Sequence, residues 1–397
     1  MATRFAVQAE CNHRNRQGRQ VQITATFTQD RFWNRGQLGD FLVAGGGQED
    51  WASAVTSYTQ ESLRRSLKPV IILDGTGALE RRLISLYTTG SGSGRGTLRV
   101  YSPEYRGYDV FGNMNPYAAL QYLTDATKDR PRESEISPAY IEAFLSVVRR
   151  VMPIALDGMR QLANKTDEEI RQVAQHTGVE YRHVEMLRNP GQNGRNFRTF
   201  LGELENAFSN VWNRNTAAGN NIFGDLGTGG IIYINAQSSR PALFNKYFST
   251  VLDYISNSRY LSFDVILYGV TFCHDDGLLK HLEDATRRPN ETIGVCCSNI
   301  SSLIHQYPFI CDMPRHIIFT SSRSMAPAEL LRSYGPYDYF FPKREYAPGL
   351  FPLPWDNNWE IGFTQRDRVK ITDLNENNVG KIMKGYNGEE IALVRNP

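Results

Sequence analysis

Phe41-Leu-Val-Ala-Gly-Gly-Gly-Gln-Glu-Asp-Trp-Ala-Ser53 has the outline of a loop that cradles phosphate and lacks the residues that do its chemistry. An apolar run ends at Ala44, the glycines Gly45, Gly46 and Gly47 turn the backbone, and a helical pattern follows to about Arg65. That is the strand, glycine turn and helix order of the motif GxxxxGK followed by Ser or Thr. In the motif, backbone N–H groups hold the phosphates, the lysine reaches the β- and γ-phosphates, and the hydroxyl holds Mg²⁺. Read from Gly45, the three closing positions are Asp50, Trp51 and Ala52. A carboxylate repels a triphosphate, and an indole supplies neither a cation nor a metal ligand. The loop is not expected to cradle ATP in the usual way.

Working outward, Pro69-Val-Ile-Ile-Leu-Asp74 is a continuous apolar run, the pattern of a strand buried on both faces. A helix is expected over about 78–87, and a Gly/Ser loop over 90–96 leads to the strand Thr97-Leu-Arg-Val-Tyr101. Upstream, the alternating Val21-Gln-Ile-Thr-Ala-Thr-Phe27 reads as a strand of an antiparallel pair or an edge. The order predicts an α/β fold with a doubly wound, mostly parallel sheet. From about Pro116 to Asn220 the period becomes helical, with Ile141, Phe144, Val147, Val148, Val151 and Met152 on one apolar face. Thr166-Asp-Glu-Glu opens a helix with an N-cap and an acidic first turn, Gly178 interrupts it, and a second helix is expected from Glu180 to Arg188. This pair reads as a packing hairpin, with a DNA-reading helix-turn-helix as the alternative.

Strands and helices then alternate again. Strands are expected at 229–235, 263–268, 292–297 and 316–320, and helices at 241–256, 277–287, 301–307 and 326–334. The expected organisation is a first α/β half over 1–115, an all-helical insertion over 116–220, a second α/β half over 221–340 and an aromatic, Pro-rich extension over 341–397. The extension is expected to end in a small strand pair or a tail.

The chain has 397 residues and a formal net charge of +2, which does not imply generic tight binding to nucleic acid or to acidic membrane. No apolar run approaches the ~20 residues that cross a bilayer, and the N-terminal segment lacks the apolar core of a signal peptide. A cytoplasmic location is expected. The five cysteines form an odd set, and Cys296-Cys297 in an apolar run reads as buried, reduced thiols. Neither Cys11-x-His13 nor Cys273-His274 has a second ligand pair at zinc spacing. His176, His183, His274, His281, His305 and His316 are scattered, and no serine or cysteine sits in a nucleophile elbow.

The order of segments resembles the type IV secretion and conjugation coupling protein family, in the hexameric DNA-translocase class of P-loop ATPases. The resemblance covers roughly Gln37 to Tyr334. It rests on Val70-Ile-Ile-Leu-Asp74-Gly-Thr-Gly, Tyr101-Ser-Pro with Asn113-Met-Asn-Pro116, Gly230-Ile-Ile-Tyr-Ile-Asn235, Leu278-Leu-Lys-His-Leu-Glu283, Val295-Cys-Cys-Ser298 and His316-Ile-Ile-Phe-Thr-Ser-Ser322, in that order. It implies a RecA-like P-loop NTPase fold with an all-helical insertion.

The departures fall on the family's catalytic positions. Val270 and Thr271 stand about where the family has the Asp-Glu pair of its Walker B strand, and Ser298 replaces its sensor glutamine. Those acids hold Mg²⁺ and polarise the attacking water, which Val and Thr cannot do. Asp275 and Asp276 could substitute, but read first as a helix N-cap and its neighbour. Arg287, Arg288, Arg315 and Arg323 could act in trans in a hexamer, but read first as solvated loop arginines.

The resemblance with emptied motifs implies a catalytically inactive relative, a structural or adaptor subunit of a DNA or protein transfer machine. It would use no cofactor and be peripheral to an inner-membrane complex. Its partners would be active ATPase paralogues or secretion-channel components, docked through surfaces such as Tyr346 to Trp359. One alternative is a nucleotide-binding enzyme that holds Mg-ATP on the Gly45–Gly47 amides with an arginine in place of the lysine. Another is a nucleic-acid binder using Arg149, Arg150, Arg160, Arg171, Arg182, Arg188, Arg195 and Arg198 of the helical insertion, where interleaved acids favour a solvated surface.

Overall fold

A computed structural model describes residues 7–14, 20–27, 40–44, 48–65, 68–87, 98–112, 114–128, 130–188, 190–212, 216, 219–257, 262–270, 278, 281, 283–284, 291–297, 316–319, 360–362, 368–370, 382–384 and 390–392. The chain divides into two compact units. Met1–Thr88, Ser262–Val270 and Leu282–Pro397 form the first, and Thr89–Leu261 with Thr271–His281 the second.

The first unit is built on a sheet. Its strands are β1 (Val7–Arg14), β2 (Gln20–Phe27), β3 (Phe41–Ala44), β4 (Val70–Asp74), β7 (Phe263–Tyr268), β8 (Glu291–Cys297) and β9 (His316–Phe319). They are ordered β1-β2-β9-β3-β8-β7-β4. Only β1 runs antiparallel, pairing Val7 with Phe27 of β2, and the other neighbours are parallel. The Val21–Phe27 run is thus a strand of an antiparallel pair, flanked on its other side by β9.

Phe41, Leu42 and Val43 of β3 and Val70 to Leu73 of β4 are fully buried, which explains their unbroken apolar runs. Helix α1 (Gln48–Arg65) follows β3 and buries Trp51, Ala54, Val55, Tyr58 and Ser62, a stripe at helical spacing. Ser62 Oγ donates to Asp264 Oδ2 at 2.9 Å, fixing the C-terminal end of α1 to the start of β7. Helix α2 (Glu80–Leu86) follows β4.

Strand β3 separates β9 from β8, β7 and β4. In open α/β sheets ligands bind outside the carboxyl ends of the strands, at such a point of divergence. The carboxyl end of β3 leads into Gly45–Gly47, which lie outside the described residues.

The second unit contains the parallel pair β5 (Leu98–Tyr101) and β6 (Ile231–Asn235). Between them in sequence come α3 (Pro116–Thr127), α4 (Pro138–Val151), α5 (Leu156–Ala163), α6 (Asp167–His176), α7 (Tyr181–Arg188), α8 (Gly191–Ala207) and the short α9 (Ile222–Asp225). Helix α10 (Pro241–Ser256) follows β6. The chain is therefore an α/β fold with a mostly parallel sheet and an all-helical run between β5 and β6.

The cause of the helical run is visible in α4. Tyr140, Ile141, Phe144, Val147 and Val148 are buried, while Val151, expected on the same face, ends the helix 43% exposed. Phe144 packs against Phe197 of α8, with ring centroids 4.9 Å apart. Helix α6 carries a complete capping box. The Glu169 backbone N–H donates to Thr166 Oγ1, and Glu169 Oε2 accepts from the Thr166 N–H at 2.7 Å and its hydroxyl at 2.8 Å.

A buried ionic centre lies near β5. The Asp225 carboxylate accepts from Tyr101 Oη at 2.7 Å and faces Arg99 Nε at 3.3 Å and Arg106 Nη1 at 3.2 Å. Arg106 also bonds Asn220 Oδ1 at 2.5 Å. No described helix is long and apolar enough to cross a membrane. In the C-terminal region the described strands form two antiparallel pairs, β10 (Glu360–Gly362) with β11 (Arg368–Lys370) and β12 (Ile382–Lys384) with β13 (Glu390–Ala392).

Candidate functional site

The carboxyl edge formed by β3, β4 and β7 is where the fold would place a nucleotide. Asp50, Trp51 and Ala52 all lie in the first two turns of α1. Glu49 and Asp50 put acidic residues in the turn whose N–H groups would otherwise attract a phosphate. Trp51 is turned into the protein and only 4% exposed, and Ala52 is buried beside it.

The Trp51 ring meets Tyr268, the last residue of β7, edge to face, with centroids 5.7 Å apart and planes at 78°. Tyr268 is fully buried, and its hydroxyl donates to the Gln48 carbonyl at the start of α1, 2.5 Å away. Two aromatic rings and one hydrogen bond therefore tie the start of α1 to the end of β7.

The turns after β4 and β7 complete this edge. Gly269 has φ +57°, and a Cβ there would lie 2.4 Å from Thr76 Cγ2 and 3.6 Å from the Trp51 ring. Gly75 donates its N–H to the Tyr268 carbonyl at 2.8 Å, and a Cβ on Gly75 would meet the Gly269 carbonyl oxygen at 2.4 Å. The two backbones cross at a distance that only hydrogen at both positions permits.

Asp74 is the conspicuous carboxylate here, and it is committed to its own turn. Its Oδ1 accepts from the Thr76 N–H at 2.8 Å, the Thr76 hydroxyl at 2.8 Å and the Gly77 N–H at 2.9 Å. Its Oδ2 accepts from the Leu79 N–H at 2.9 Å. Four donors on one carboxylate describe a turn-closing residue rather than a base or a metal ligand. On β8, one strand beyond β7, burial pushes the Cys296 thiol well above its ordinary pKa, with the adjacent Cys297 and Asp74 adding to the effect. It is a protonated thiol and no nucleophile.

Val270 is 6% exposed and follows Gly269. A Cβ on Gly75 would come 2.8 Å from its Cα, so Val270 belongs to the backbone crossing. The residue that meets Trp51 is Tyr268, two positions earlier, which sequence reading did not single out. Its hydroxyl at the end of a buried strand was the one available signal. Thr271, Ser298, Asp275, Asp276, Arg287, Arg288, Arg315, Arg323 and the segment 346–359 lie outside the described residues, as do the helices expected at 301–307 and 326–334.

The residues described at this edge do not fit Mg-ATP. Trp51 and Ala52 are buried apolar side chains, and β7 ends in a tyrosine engaged with a carbonyl, so none of the three offers a cation or a metal ligand.

In the helical insertion the arginines considered for nucleic acid are largely spent on acids. Arg160 pairs with Glu205 at 2.8 Å, Arg182 with Glu180 at 2.8 Å, Arg188 with Glu185 at 3.4 Å and Arg198 with Asp167 at 3.6 Å. Arg171 pairs with Glu168. Gly178, at φ +67°, separates α6 from α7, but the exposed arginines of this pair are held by their own helices or neighbours, which does not favour DNA reading. Among the scattered histidines, His281 is buried and its Nδ1 lies 2.7 Å from Asp253 Oδ1.

No protein-family model and no curated protein matches the sequence. Among solved structures, VirB4 of Thermoanaerobacter pseudethanolicus is similar over 98% of this chain and 96% of that one, at 12% identity and a TM-score of 0.46. The plasmid coupling protein TrwB in complex with the non-hydrolysable GTP analogue GDPNP is similar over 90% and 85%, at 12% identity and a TM-score of 0.45. A trigonal form of the bacterial conjugative coupling protein TrwB in complex with sulphate is similar over 90% and 85%, at 11% identity and a TM-score of 0.43.

Proposed function

We propose that this chain does not hydrolyse nucleotide and serves as a structural or adaptor subunit of a type IV kind of transfer or secretion machine. The observation that carries the proposal is the buried Trp51 against Tyr268, which puts packed aromatic side chains where phosphates and metal would need polar ones. The commitment of Asp74 to four donors of its own turn supports it. So does the order of segments, which resembles the coupling protein family with its catalytic positions changed. Each lost charge-stabilising group costs phosphoryl transfer on the order of 10³-fold, and such groups act as a unit. Protein partners of such a machine, active ATPase paralogues among them, and a place at the cytoplasmic side of a membrane complex follow from the same resemblance.

Calorimetric titration of the purified protein with Mg-ATP, alongside a phosphate-release assay, tests this. Silence up to millimolar nucleotide is expected. Saturable binding with turnover sinks the proposal and points to an arginine near Gly46 acting in place of the lysine.

A further inference from the structure

Helix α7 is lightly held. It packs on α4 and α6, and Val184 and Leu187 are its buried residues. Glycines in open surroundings stand on either side of it. Gly178 has φ +67° and Gly191 φ +52°, and a Cβ at either would meet nothing within 4 Å. Neither joint is wedged in place by a neighbouring side chain.

His183 precedes Val184 and its side chain is 11% exposed. Its Nδ1 is the one buried side-chain nitrogen or oxygen among the described residues that has no hydrogen-bond partner. Nε2 lies 3.9 Å from Glu142 Oε1 of α4, beyond hydrogen-bond reach. An uncharged ring fits this seat with its proton on Nε2, toward the carboxylate, and Nδ1 bare. A second proton puts an N–H on Nδ1 where nothing accepts it, and a buried donor left unmade costs its full desolvation. The surrounding charges do not answer that proton. Glu142 is 48% exposed, faces the Nε2 edge, and is shared with Arg182, whose Nη2 lies 4.0 Å away, so the attraction it offers is small. Elsewhere on α4, Tyr140 packs on Phe197 and Arg149 and Arg150 sit in the last turn. On α6, Asp167 pairs with Arg198 and Glu168 with Arg171, Glu169 is turned into its capping box, and His176 Nδ1 meets the Gln172 carbonyl. On α7 itself, Arg182 pairs with Glu180 and Arg188 with Glu185.

We infer that α7 is an acid-released flap: a second proton on His183 unseats the ring, and the helix turns about Gly178 and Gly191 away from α4 and α6. The direction follows from the geometry. The flap is seated above the range in which a histidine titrates and is released as pH falls through it. An imidazolium held by Glu142 would act in the opposite sense, seating the helix in acid. Release uncovers the apolar surface on which Val184 and Leu187 rest. The inference is independent of whether the sheet edge binds nucleotide.

The test follows amide hydrogen exchange of the whole chain from about pH 8 to about pH 5, with the intrinsic pH dependence of exchange divided out. Amides of α7 should lose about tenfold or more of their protection as pH falls, while those of α8 keep theirs. His183→Phe and His183→Gln place groups in the seat that take no proton, and each should give α7 a flat profile. The readout is the dependence on pH, so a variant that loosens α7 equally at every pH still counts in favour. Glu142→Gln should leave the acid release in place. NMR of ¹⁵N-labelled histidine at about pH 8 should find the His183 proton on Nε2. A proton on Nδ1, or protection of α7 that rises in acid, overturns the inference. Acid release that persists in both His183 variants, or that α8 shares in step, overturns it too.

Discussion

Replacing Trp51 separates a packed edge from an empty nucleotide site. The side chain is 96% buried, taken from its 4% exposure, and truncating a buried Trp to Ala costs about 3–5 kcal/mol. Of this, the edge-to-face contact with Tyr268 at 5.7 Å accounts for about 0.5–1.5 kcal/mol beyond area. Trp51→Ala should therefore lower the urea midpoint by the equivalent of about 3 kcal/mol at unchanged slope. Combining it with Tyr268→Leu should reveal a coupling of about 1 kcal/mol between the two rings. Trp51→Lys should be at least as costly as Trp51→Ala, since it buries an ammonium beside an aromatic ring and two apolar strands. A loss below about 1 kcal/mol for Trp51→Ala would show that the ring does not hold this edge together. A stable Trp51→Lys variant that binds Mg-ATP in the calorimeter would refute the reasoning outright, because the edge would then be a nucleotide site lacking one cation.

Gly269→Ala meets both a left-handed φ and a contact of 2.4 Å to Thr76, and should cost about 2 kcal/mol or more. Gly178→Ala, at φ +67° with nothing within 4 Å, should cost only about 1 kcal/mol, so paired thermal melts order the two. Asp225→Asn removes the counter-charge of Arg99, which is 6% exposed, and should destabilise the second unit by about 3 kcal/mol in denaturant. The Glu169 carboxyl is held below the usual glutamate range first by the Thr166 backbone N–H and then by its hydroxyl. A depressed folded value means that this cap is fully formed above the unfolded pKa and is lost as pH falls through the folded one. NMR titration of its side-chain carboxyl should give a value below that of an unstructured peptide, and Thr166→Ala, which removes the hydroxyl and keeps the backbone N–H, should raise it only part of the way back.

The alternation of buried strands and helices was legible because a strand covered on both faces must be apolar throughout, as at Val70 to Leu73, and a half-buried helix must keep a stripe, as in α1 and α4. Strand β1 escaped notice, since Val-Gln-Ala-Glu-Cys-Asn-His-Arg carries mostly polar residues and its pairing with β2 is a long-range fact. The short α9 was not among the expected helices either. Its cap, Asn221, accepts from the Gly224 N–H, a local bond that Asn makes equally well in a turn. At the candidate site, the residue types at 51 and 52 were plain from spacing. The role of Tyr268 was not, because a tyrosine ending an apolar strand is ordinary until the partner ring and the Gln48 carbonyl are placed against it. Asp74, read in the sequence as the end of an apolar run, is held by the donors of its own turn, which only the placed backbone reveals.

The Trp51–Tyr268 contact also bears on whether such an edge could acquire a charged site by gradual change. An acid introduced at 268 while the indole remains would be a buried carboxylate with no cation to answer it. A lysine introduced at 51 while the tyrosine remains would be a buried ammonium with no anion. Gly269 leaves the turn no room for a side chain to take over either task. Each single step costs stability before any benefit appears, so such a change requires several substitutions together. Two rings closed over such an edge thus hold its chemistry fixed through packing, because every polar replacement must first break the contact that stabilises it.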